Sequence, residues 1–526
     1  MHETTRRSLL GAVSLSAGAL VVGPAFAQGA PKSSMDSQMA PAQQPRFGFN
    51  DVVQRARQLS LAPFDGAYAK LPAPLDALDF DAWRDIRFKS DKAIAIGPYR
   101  LHVFHLGHLY RRPVTINTIR DGIATPIPYS NQMFDYGRTK FEQRLPVNTG
   151  FAGFRLHFPV NDPRVFDEVC SFIGASYFRI LGRGQSYGLS ARALAVGAGT
   201  DKEEFPFFRE FWIEQGDTRP DRVTIYGLLD GAAATGAYRF DLTPGLDTAM
   251  EVRATLFARR AGAKVGLAPL TSMYFVGNND RRSNSDFRTE LHDSDGLQIE
   301  TSRGEWIWRP LRNPLSMKIA HFMDANPRGF GLMQRDREFS SYQDLELNYQ
   351  SRPSYWVEPR GEWGEGVVEL VELPTTDETN DNIVASFVPK DSPEPGKPFS
   401  YGYRLLSSLD LARLSPNGRT VNTFQTVARA LGSRETPPEG SRRFLIDFAY
   451  GDLAYHAADP NLVEVVAAIS KGSVLRAFPL ANPHVQGVRA VVDVATPPGE
   501  TGDIRVFLRT KGDVLTETWT FPWASS

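Results

Sequence analysis

The feature that most constrains the fold is a period of two in hydrophobicity, which recurs in short segments along most of the chain. Apolar and polar side chains largely alternate over residues 99–104, 115–119, 154–158, 223–229 and 249–257. Such alternation is typical of strands that bury one face of a sheet. Strand-like runs continue as far as Leu373, and long segments with helical spacing are absent. The sequence therefore predicts an all-β protein with a large antiparallel β-sandwich rather than an α/β enzyme.

Two short helices are expected before the first strand. Residues 49–61 have apolar positions at helical spacing, and Asn50 or Asp51 is a suitable helix cap. A second brief helix is expected near residues 75–87.

The length of 526 residues and the hydrophobic share of 42% predict more than one domain. Residues 388–398 are polar and rich in proline, which is typical of a linker. We therefore predict a large sandwich over residues 46–390, a linker over 391–398 and a smaller β-sandwich over 399–526. Short strands separated by Gly- and Pro-rich turns favour an immunoglobulin-like fold for the smaller domain, in a supporting role.

The amino terminus has the pattern of an export signal. Arg6 and Arg7 precede a mildly apolar run, and Ala25-Phe26-Ala27 is a small-x-small cleavage site ending at Ala27. This pattern predicts that residues 1–27 are a twin-arginine signal peptide. We therefore expect the twin-arginine export machinery as a partner and the periplasm as the location of the mature protein. Residues 28–45 lack periodicity and predict a disordered leader.

Charge and composition exclude several partners. The 59 basic and 60 acidic residues nearly cancel and form no long basic run, so neither nucleic acid nor an anionic membrane surface is expected. No run approaches the ~20 apolar residues of a membrane helix, so no stable membrane insertion is expected. The single Cys170 excludes an intrachain disulfide.

Two loops rich in carboxylates are the best candidates for chemistry. Residues 373–383 contain Asp377, Glu378 and Asp381, and residues 290–295 repeat the pattern. Paired carboxylates suit glycosidic cleavage, because one protonates the leaving oxygen while the other, directly or through a relay, deprotonates the attacking group. Taken alone, each loop is more typical of Asx-turns and hairpin ends than of a catalytic site.

Other chemistries find little support. The chain has no CxxC, HExxH or Walker loop, and the G-x-S-x-G at residues 184–188 is not followed by a helical pattern. His102, His105 and His108 have a spacing that would not aim three ligands together from a strand. We therefore expect neither a metal nor a cofactor.

Nine blocks of the sequence resemble the periplasmic glucans biosynthesis proteins, the OpgG and OpgD family. The blocks lie at residues 150–155, 172–179, 187–192, 203–206, 268–273, 292–295, 304–306, 326–331 and 356–360. The resemblance runs from about Phe47 to the carboxyl end, and the twin-arginine signal is similar to the OpgD branch. It implies a mutarotase-like β-sandwich joined to an immunoglobulin-like one, acting in the periplasm on the β-1,2-linked backbone of osmoregulated periplasmic glucans.

The family includes inverting endo-β-1,2-glucanases and members that transfer the cleaved chain to a sugar hydroxyl. By resemblance, Asp381 matches the general acid, Asp293 the carboxylate on the base side, and Tyr349 a tyrosine close to the reacting sugars. Asn348 and Asn380 depart from the family pattern beside two of these residues, which leaves hydrolase versus transglycosylase open.

The same loops and blocks supply further candidates for substrate binding. We expect Glu378 and His292 to contact the glucan beside the two aspartates, and Trp356 to stack on a sugar face.

Two functions of different classes remain. One is an enzyme that cleaves or rearranges β-1,2-glucan by inversion, and the other is a non-catalytic protein that binds glucan and assists synthesis and export of the backbone. Sugar mutarotation is a weaker third, because no His and Glu pair for ring opening is evident. The sequence does not fix the oligomeric state, and a homodimer stays open.

Overall fold

The computed structural model describes residues 46–524, except residues 68–70, 142–144, 147–148, 216–220, 282–285, 411–414, 430–431, 433, 435 and 457–458. The predicted signal peptide and leader lie outside these residues. Five short α-helices are present in the described part: α1 Phe49–Leu61, α2 Ala73–Asp76, α3 Phe80–Asp85, α4 Phe339–Tyr342 and α5 Leu453–His456. Single turns of 3-10 helix occur at Ser90–Lys92, Asn131–Met133, Tyr349–Ser351 and Pro460–Leu462.

Strands make up most of the remaining elements, which confirms the all-β prediction. In chain order they are β1 Arg87–Phe88, β2 Ile94–Ile96, β3 Tyr99–His105, β4 Thr115–Arg120, β5 Ile123–Pro126, β6 Phe134–Asp135, β7 Phe151–Phe158, β8 Asp167–Ile173, β9 Tyr177–Ile180, β10 Ser190–Arg192, β11 Leu194–Val196, β12 Phe207–Gln215, β13 Val223–Asp230, β14 Ala234–Thr243, β15 Thr248–Ala258, β16 Val265–Ser272 and β17 Tyr274–Val276. The series continues with β18 Leu291–His292, β19 Gly296–Glu300, β20 Trp306–Pro310, β21 Lys318–Ala325, β22 Gly329–Met333, β23 Ser354–Arg360, β24 Glu365–Glu372, β25 Ile383–Pro389, β26 Pro398–Ser408, β27 Arg419–Thr426, β28 Ser441–Ala449, β29 Glu464–Ile469, β30 Ser473–Asn482, β31 Gly487–Ala495, β32 Thr501–Thr510, β33 Asp513–Val514 and β34 Thr518–Ala524.

Two large sheets form the main sandwich. Within the described residues, the eleven-stranded sheet has the order β2-β3-β7-β8-β9-β10-β16-β25-β24-β21, with β11 beside β16. The fifteen-stranded sheet has the order β29-β32-β34-β20-β19-β22-β23-β26-β15-β14-β13-β12-β4-β5, with β33 beside β32. Inward residues of both sheets share one core, among them Phe154 from the first sheet and Phe240 from the second. Neighbouring strands are mostly antiparallel, as the alternation predicts.

A second core lies under the carboxyl-terminal strands. The four-stranded sheet β27-β28-β31-β30 packs against β29, β32 and β34, and burial of Phe444, Val506 and Trp519 holds them together. Strand β34 also pairs in parallel with β20, matching Ile307 to Thr518 and Trp308 to Trp519. The fifteen-stranded sheet is therefore continuous from one core to the other, within one compact unit.

The position of strand β26 contradicts the predicted domain boundary. We predicted that residues 399–526 form the smaller domain after a linker at 391–398, yet β26 pairs with β15 on one side and β23 on the other. Tyr401, Tyr403 and Leu405 from this strand are buried in the main core. The strand that follows the proline-rich segment thus completes the large sandwich, and the second core takes its strands from beyond Ser408.

Helix α1 covers the outer face of the fifteen-stranded sheet. Val52 and Ala56 pack there against Trp212 and Tyr226. The helix begins after Gly48, so its cap lies two or three residues before the predicted caps Asn50 and Asp51. Asp51 accepts a hydrogen bond from the Gly48 amide at 2.7 Å. Among the described helices, none has the length and apolar character needed to cross a membrane.

Candidate active site

A cleft of about 680 Å³ opens on the side of the eleven-stranded sheet that faces away from the main core. Arg155, Ser171 and Arg179 line it because they alternate with core residues along β7, β8 and β9. Aromatic rings form much of the remaining wall, from Trp83, Phe104, Tyr110, Tyr177 and Tyr187. The cleft therefore combines charged groups with rings, as sites for polar organic ligands do.

The loop at residues 373–382 joins β24 to β25 and brings Thr379, Asn380 and Asp381 to this cleft. Asn382 closes the loop at its base, since its backbone oxygen accepts from the Leu373 amide at 2.8 Å and its side chain donates to the Leu373 oxygen at 2.9 Å. The same side chain bonds both backbone groups of Tyr274, at 2.8 and 3.0 Å. Asp381 is thus placed directly beside a firmly anchored residue.

Asp381 has the properties expected of a general acid. Water still reaches the side chain, but surrounding protein atoms remove much of its hydration, and this loss together with the negative charge of Asp293 raises its pKa to about 6. Arg179, Arg192 and Arg352 oppose the rise with their positive charges. The carboxyl therefore keeps its proton in mildly acidic solution, unlike an ordinary aspartate.

Asp293 follows β18 and lies behind the cleft rather than on its surface. Its residue is 5% exposed, its amide donates to the Met273 oxygen at 2.8 Å, and its carboxylate forms an ion pair with Arg352. The Arg352 guanidinium lies 3.7 Å from the centre of the Tyr349 ring. The structure thus brings the two predicted aspartates close enough for their charges to interact, with Asp293 as the more enclosed of the two.

Glu378 and Tyr349 are bonded to each other. The Tyr349 hydroxyl donates to Glu378 Oε2 at 2.8 Å, and Arg288 donates to Glu378 Oε1 at 3.1 Å. Both carboxylate oxygens therefore have protein partners, and the contact of Glu378 with substrate stays a prediction. Tyr349 is 1% exposed, which leaves no surface for the expected contact with a sugar. In this structure it supports Arg352 and Glu378 instead.

His292 does not reach the cleft, in contrast to our prediction. It is fully buried, with one ring nitrogen 2.8 Å from Glu290 Oε2 and the other 2.8 Å from Gln334 Oε1. Burial alone would lower the pKa of His292, but the hydrogen bond and charge of Glu290 outweigh burial and raise it. His292 therefore supports the strand before Asp293 from inside the protein, without access to a sugar.

Trp356 is also a core residue, so its predicted stacking on a sugar is wrong. It is 4% exposed and stacks on Trp306 in the second core, with ring centres 5.6 Å apart. Gly329 lies against it, because a Cβ at that position would be 2.3 Å from the Trp356 ring. The predicted strand was right, but the side chain points to the interior.

Sequence reasoning missed several residues around Asp381. Arg179 and Tyr187 lie in the blocks that carried the family resemblance, which was the available signal. Tyr187 donates to Glu168 at 2.6 Å and Arg155 donates to the same carboxylate oxygen at 3.2 Å, which orders one wall of the cleft. Arg352 had no local signal, because its partner Asp293 is 59 residues away in the chain.

The structure also shows where the residues considered for a metal site and for a serine nucleophile lie. In the described residues, no group of three or more His, Cys, Asp or Glu side chains is arranged to hold a metal ion. His105 bonds to the Leu106 oxygen and the Tyr129 hydroxyl, and His102 packs on Phe88 and His157. The G-x-S-x-G segment lies between β9 and β10 and leads into a strand, not a helix.

Comparison with known proteins identifies the family. The model of the family described as "Periplasmic glucan biosynthesis protein, MdoG" matches residues 47–523. The chain belongs to this family. It is accordingly a periplasmic protein with a role in periplasmic glucan biosynthesis, in agreement with the resemblance and the predicted location.

Individual relatives are similar over almost the whole chain. Glucans biosynthesis protein G of Ralstonia nicotianae is 44% identical, covering 90% of this chain and 95% of the relative. Glucans biosynthesis protein D of Xanthomonas campestris pv. campestris is 43% identical, with coverage of 91% and 90%. The probable glucans biosynthesis protein D of Shewanella oneidensis is 41% identical, with coverage of 91% and 89%. G and D relatives are thus matched almost equally, and identity does not assign the chain to one branch.

Among solved structures, the GH36 α-galactosidase AgaA of Geobacillus stearothermophilus matches with 9% identity and a TM-score of 0.26. The match covers 49% of this chain and 39% of that enzyme, a likeness too weak to indicate a shared fold or chemistry.

Proposed function

We propose that the protein sets the structure of the β-1,2-linked glucose backbone of periplasmic glucans by cleaving it with inversion, or by transferring the cleaved chain to another sugar. Asp381 acts as the general acid, and Asp293 acts on the base side. The observation that carries the proposal is the pKa of about 6 for Asp381, in a loop that lines a ring-walled cleft. A protein that only bound glucan would have no need of a proton held there.

The electrostatics support different roles for the two carboxylates. General acid catalysis requires a group that is protonated at the working pH and lies within reach of the leaving oxygen. Lost hydration and the nearby charge of Asp293 favour the protonated form of Asp381 up to about pH 6, which supports the first condition, and its place on the cleft wall supports the second. A pair of carboxylates with different environments is the usual source of separate acid and base roles.

The enclosed position of Asp293 favours a relay on the base side. Inverting enzymes hold the two carboxyl groups ~6.5–9.5 Å apart, with the attacking water between them. Asp293 is 5% exposed and paired with Arg352, so it does not meet an attacking water in the cleft directly. We propose that a chain of water or sugar hydroxyls carries the proton from the attacking oxygen to Asp293.

The walls of the cleft support a sugar chain as the ligand. Its volume of about 680 Å³ falls within the ~300–1,000 Å³ typical of ligand sites. Tyr110, Tyr177 and Trp83 offer faces for the apolar sides of sugar rings, and Glu168 and Arg179 offer groups that bond hydroxyls.

The proposal is tested by incubating the purified protein with linear β-1,2-glucan and separating the products by chromatography. Shortened chains indicate cleavage, lengthened or rearranged chains indicate transfer, and NMR of fresh products reports the anomer. Asp381→Asn keeps the side-chain shape and removes the acid. It should lower turnover ~10²- to 10⁴-fold, the usual contribution of general acid catalysis, with little change in glucan affinity.

Asp377→Asn is the matched control in the same loop. Asp377 Oδ1 accepts from the Thr379 amide at 2.8 Å, and an asparagine oxygen can keep this bond. This control should keep close to wild-type turnover. If Asp381→Asn cut as fast as the wild type, or if the wild type bound the glucan without altering it, glucan binding without catalysis would replace the proposal.

A further inference from the structure

Three loops meet at the guanidinium of Arg288. Arg288 donates to Asp286 Oδ2 at 2.7 Å, to Asp344 Oδ2 at 3.0 Å and to Glu378 Oε1 at 3.1 Å. These carboxylates belong to the segment before β18, to the loop after α4, and to the loop that carries Asp381. The Arg288 side chain is 12% exposed, whereas the side chains of Asp286 and Glu378 are 26% and 30% exposed. The guanidinium is therefore largely enclosed, and water reaches the junction at its edge.

The junction depends on one positive charge. Its hydrogen bond lowers the pKa of Asp286 to about 2, which shows how strongly the cation favours the charged carboxylate. Without Arg288, three carboxylates would face one another at short range, and like charges in a partly buried site repel strongly. The carboxylates would then move apart or take up protons, and the bond from the Tyr349 hydroxyl would remain as a weaker tie on Glu378.

The junction affects the cleft because Glu378 belongs to the same loop as Asp381, which lines the cleft. The loop at residues 373–382 is fixed at its base by Asn382 and near its start by Asn313, which accepts from the Thr375 amide at 2.9 Å. Asn380 and Asp381 make no hydrogen bond to another described residue. The Glu378 carboxylate is therefore the nearest side chain on the amino-terminal side of Asp381 that is bonded to another loop.

We propose that Arg288 is a positioning residue, which clasps three loops through Asp286, Asp344 and Glu378 and thereby holds Asp381 at the leaving oxygen. This inference rests on the proposed function, because it gives Asp381 its catalytic task. Arg288 itself touches no reacting atom. A loss of the clasp lets the loop move, and a displacement of about 1 Å at a reacting group costs ~10²-fold in rate.

The first measurement is hydrogen exchange of peptides that cover residues 374–382, in wild type and in Arg288→Gln. Exchange of exposed or loosely held amides is governed by local opening, so loss of the Arg288 bonds should accelerate it ~10-fold or more in this loop and in residues 344–348. Peptides from β27 to β34 should exchange as in wild type. Arg288→Lys keeps the charge but not the fork geometry and should fall between the two.

The second measurement is turnover on linear β-1,2-glucan. Arg288→Gln should lower kcat ~10- to 10²-fold and change KM less than about 3-fold, because the walls of the cleft stay in place. Glu378→Gln should lower kcat in the same direction, and the double variant should be little worse than the worse single variant, since both remove one clasp. Arg509→Gln removes a paired surface arginine far from the cleft, with bonds of 2.7 and 2.8 Å to Glu464, and should leave both measurements unchanged.

The outcomes separate the two proposals. Unchanged exchange at residues 374–382 in Arg288→Gln would overturn the clasp, whatever the activity. Faster exchange in a protein whose wild type does not alter glucan would uphold the clasp and remove the catalytic proposal. If Arg288→Gln does not accumulate as folded protein, Arg288→Lys and Glu378→Gln carry the same comparison.

Discussion

Removal of the Asp381 carboxylate should stabilise the folded protein at neutral and alkaline pH and do much less at acid pH. The folded state raises the pKa of Asp381 from its ordinary value of 3.8 to about 6. A raised pKa stabilises the fold while the group is protonated, and this contribution is lost as pH rises through the folded pKa. Above about pH 6 the wild type therefore carries an ionised group that the site disfavours, whereas Asp381→Asn does not.

The magnitude follows from the size of the pKa change. A rise from 3.8 to about 6 corresponds to ~3 kcal/mol against the ionised form if the carboxylate were fully enclosed. Water reaches Asp381, and exposed charges lose most of such an interaction to screening. We therefore expect Asp381→Asn to raise the free energy of unfolding by ~1 kcal/mol at about pH 8 and by much less at about pH 4.

Urea unfolding followed by tryptophan fluorescence, at both pH values, measures this difference. Asp377→Asn is again the control, because the Thr379 amide lowers the pKa of Asp377 and its removal should give no gain at the higher pH. The reasoning is refuted if the advantage of Asp381→Asn over wild type fails to grow between the two pH values, or if Asp377→Asn shows the same growth.

Two further predictions concern export and the second core. Arg6→Lys combined with Arg7→Lys should retain the protein in the cytoplasm, because twin-arginine export reads the paired guanidiniums; cell fractionation with undiminished periplasmic protein would contradict this. Trp356→Phe removes part of a ring that is 4% exposed and should lower the free energy of unfolding by ~1–3 kcal/mol without changing KM for glucan; a large rise in KM would return Trp356 to the substrate site.

Local patterns were sufficient for the strands but not for their partners. The alternation at residues 99–104 and 223–229 predicted β3 and β13 within one residue of their ends. The proline-rich segment before β26 was misread because a loop and a domain linker have the same composition. Only the pairing of β26 with β15 and β23 assigns it to the main sandwich, and such pairing joins residues ~50 to 150 positions apart that no local pattern connects.

The sequence predicted which loops carry the site, but not which side chains contact one another within it. The acidic composition and the family blocks singled out Asp381 and Asp293, and in the structure the charge of Asp293 helps to raise the pKa of Asp381. Trp356 was assigned to the glucan because its ring could stack on a sugar, but both faces of β23 are buried, with Tyr355 in the main core and Trp356 in the second core. The partners Arg352 and Arg288 were missed because an ion pair depends on how distant loops fold together, and an isolated arginine carries no sign of it.

The parallel pairing of β34 with β20 has a consequence for the order in which the protein is made. Trp308 cannot receive Trp519 as its neighbour until some two hundred further residues have left the ribosome. The central sheet therefore stays open along β20 while these residues are synthesised, and contacts so distant in sequence form slowly. A nascent chain halted before residue 518 would expose that unpaired edge to chaperones and to other chains.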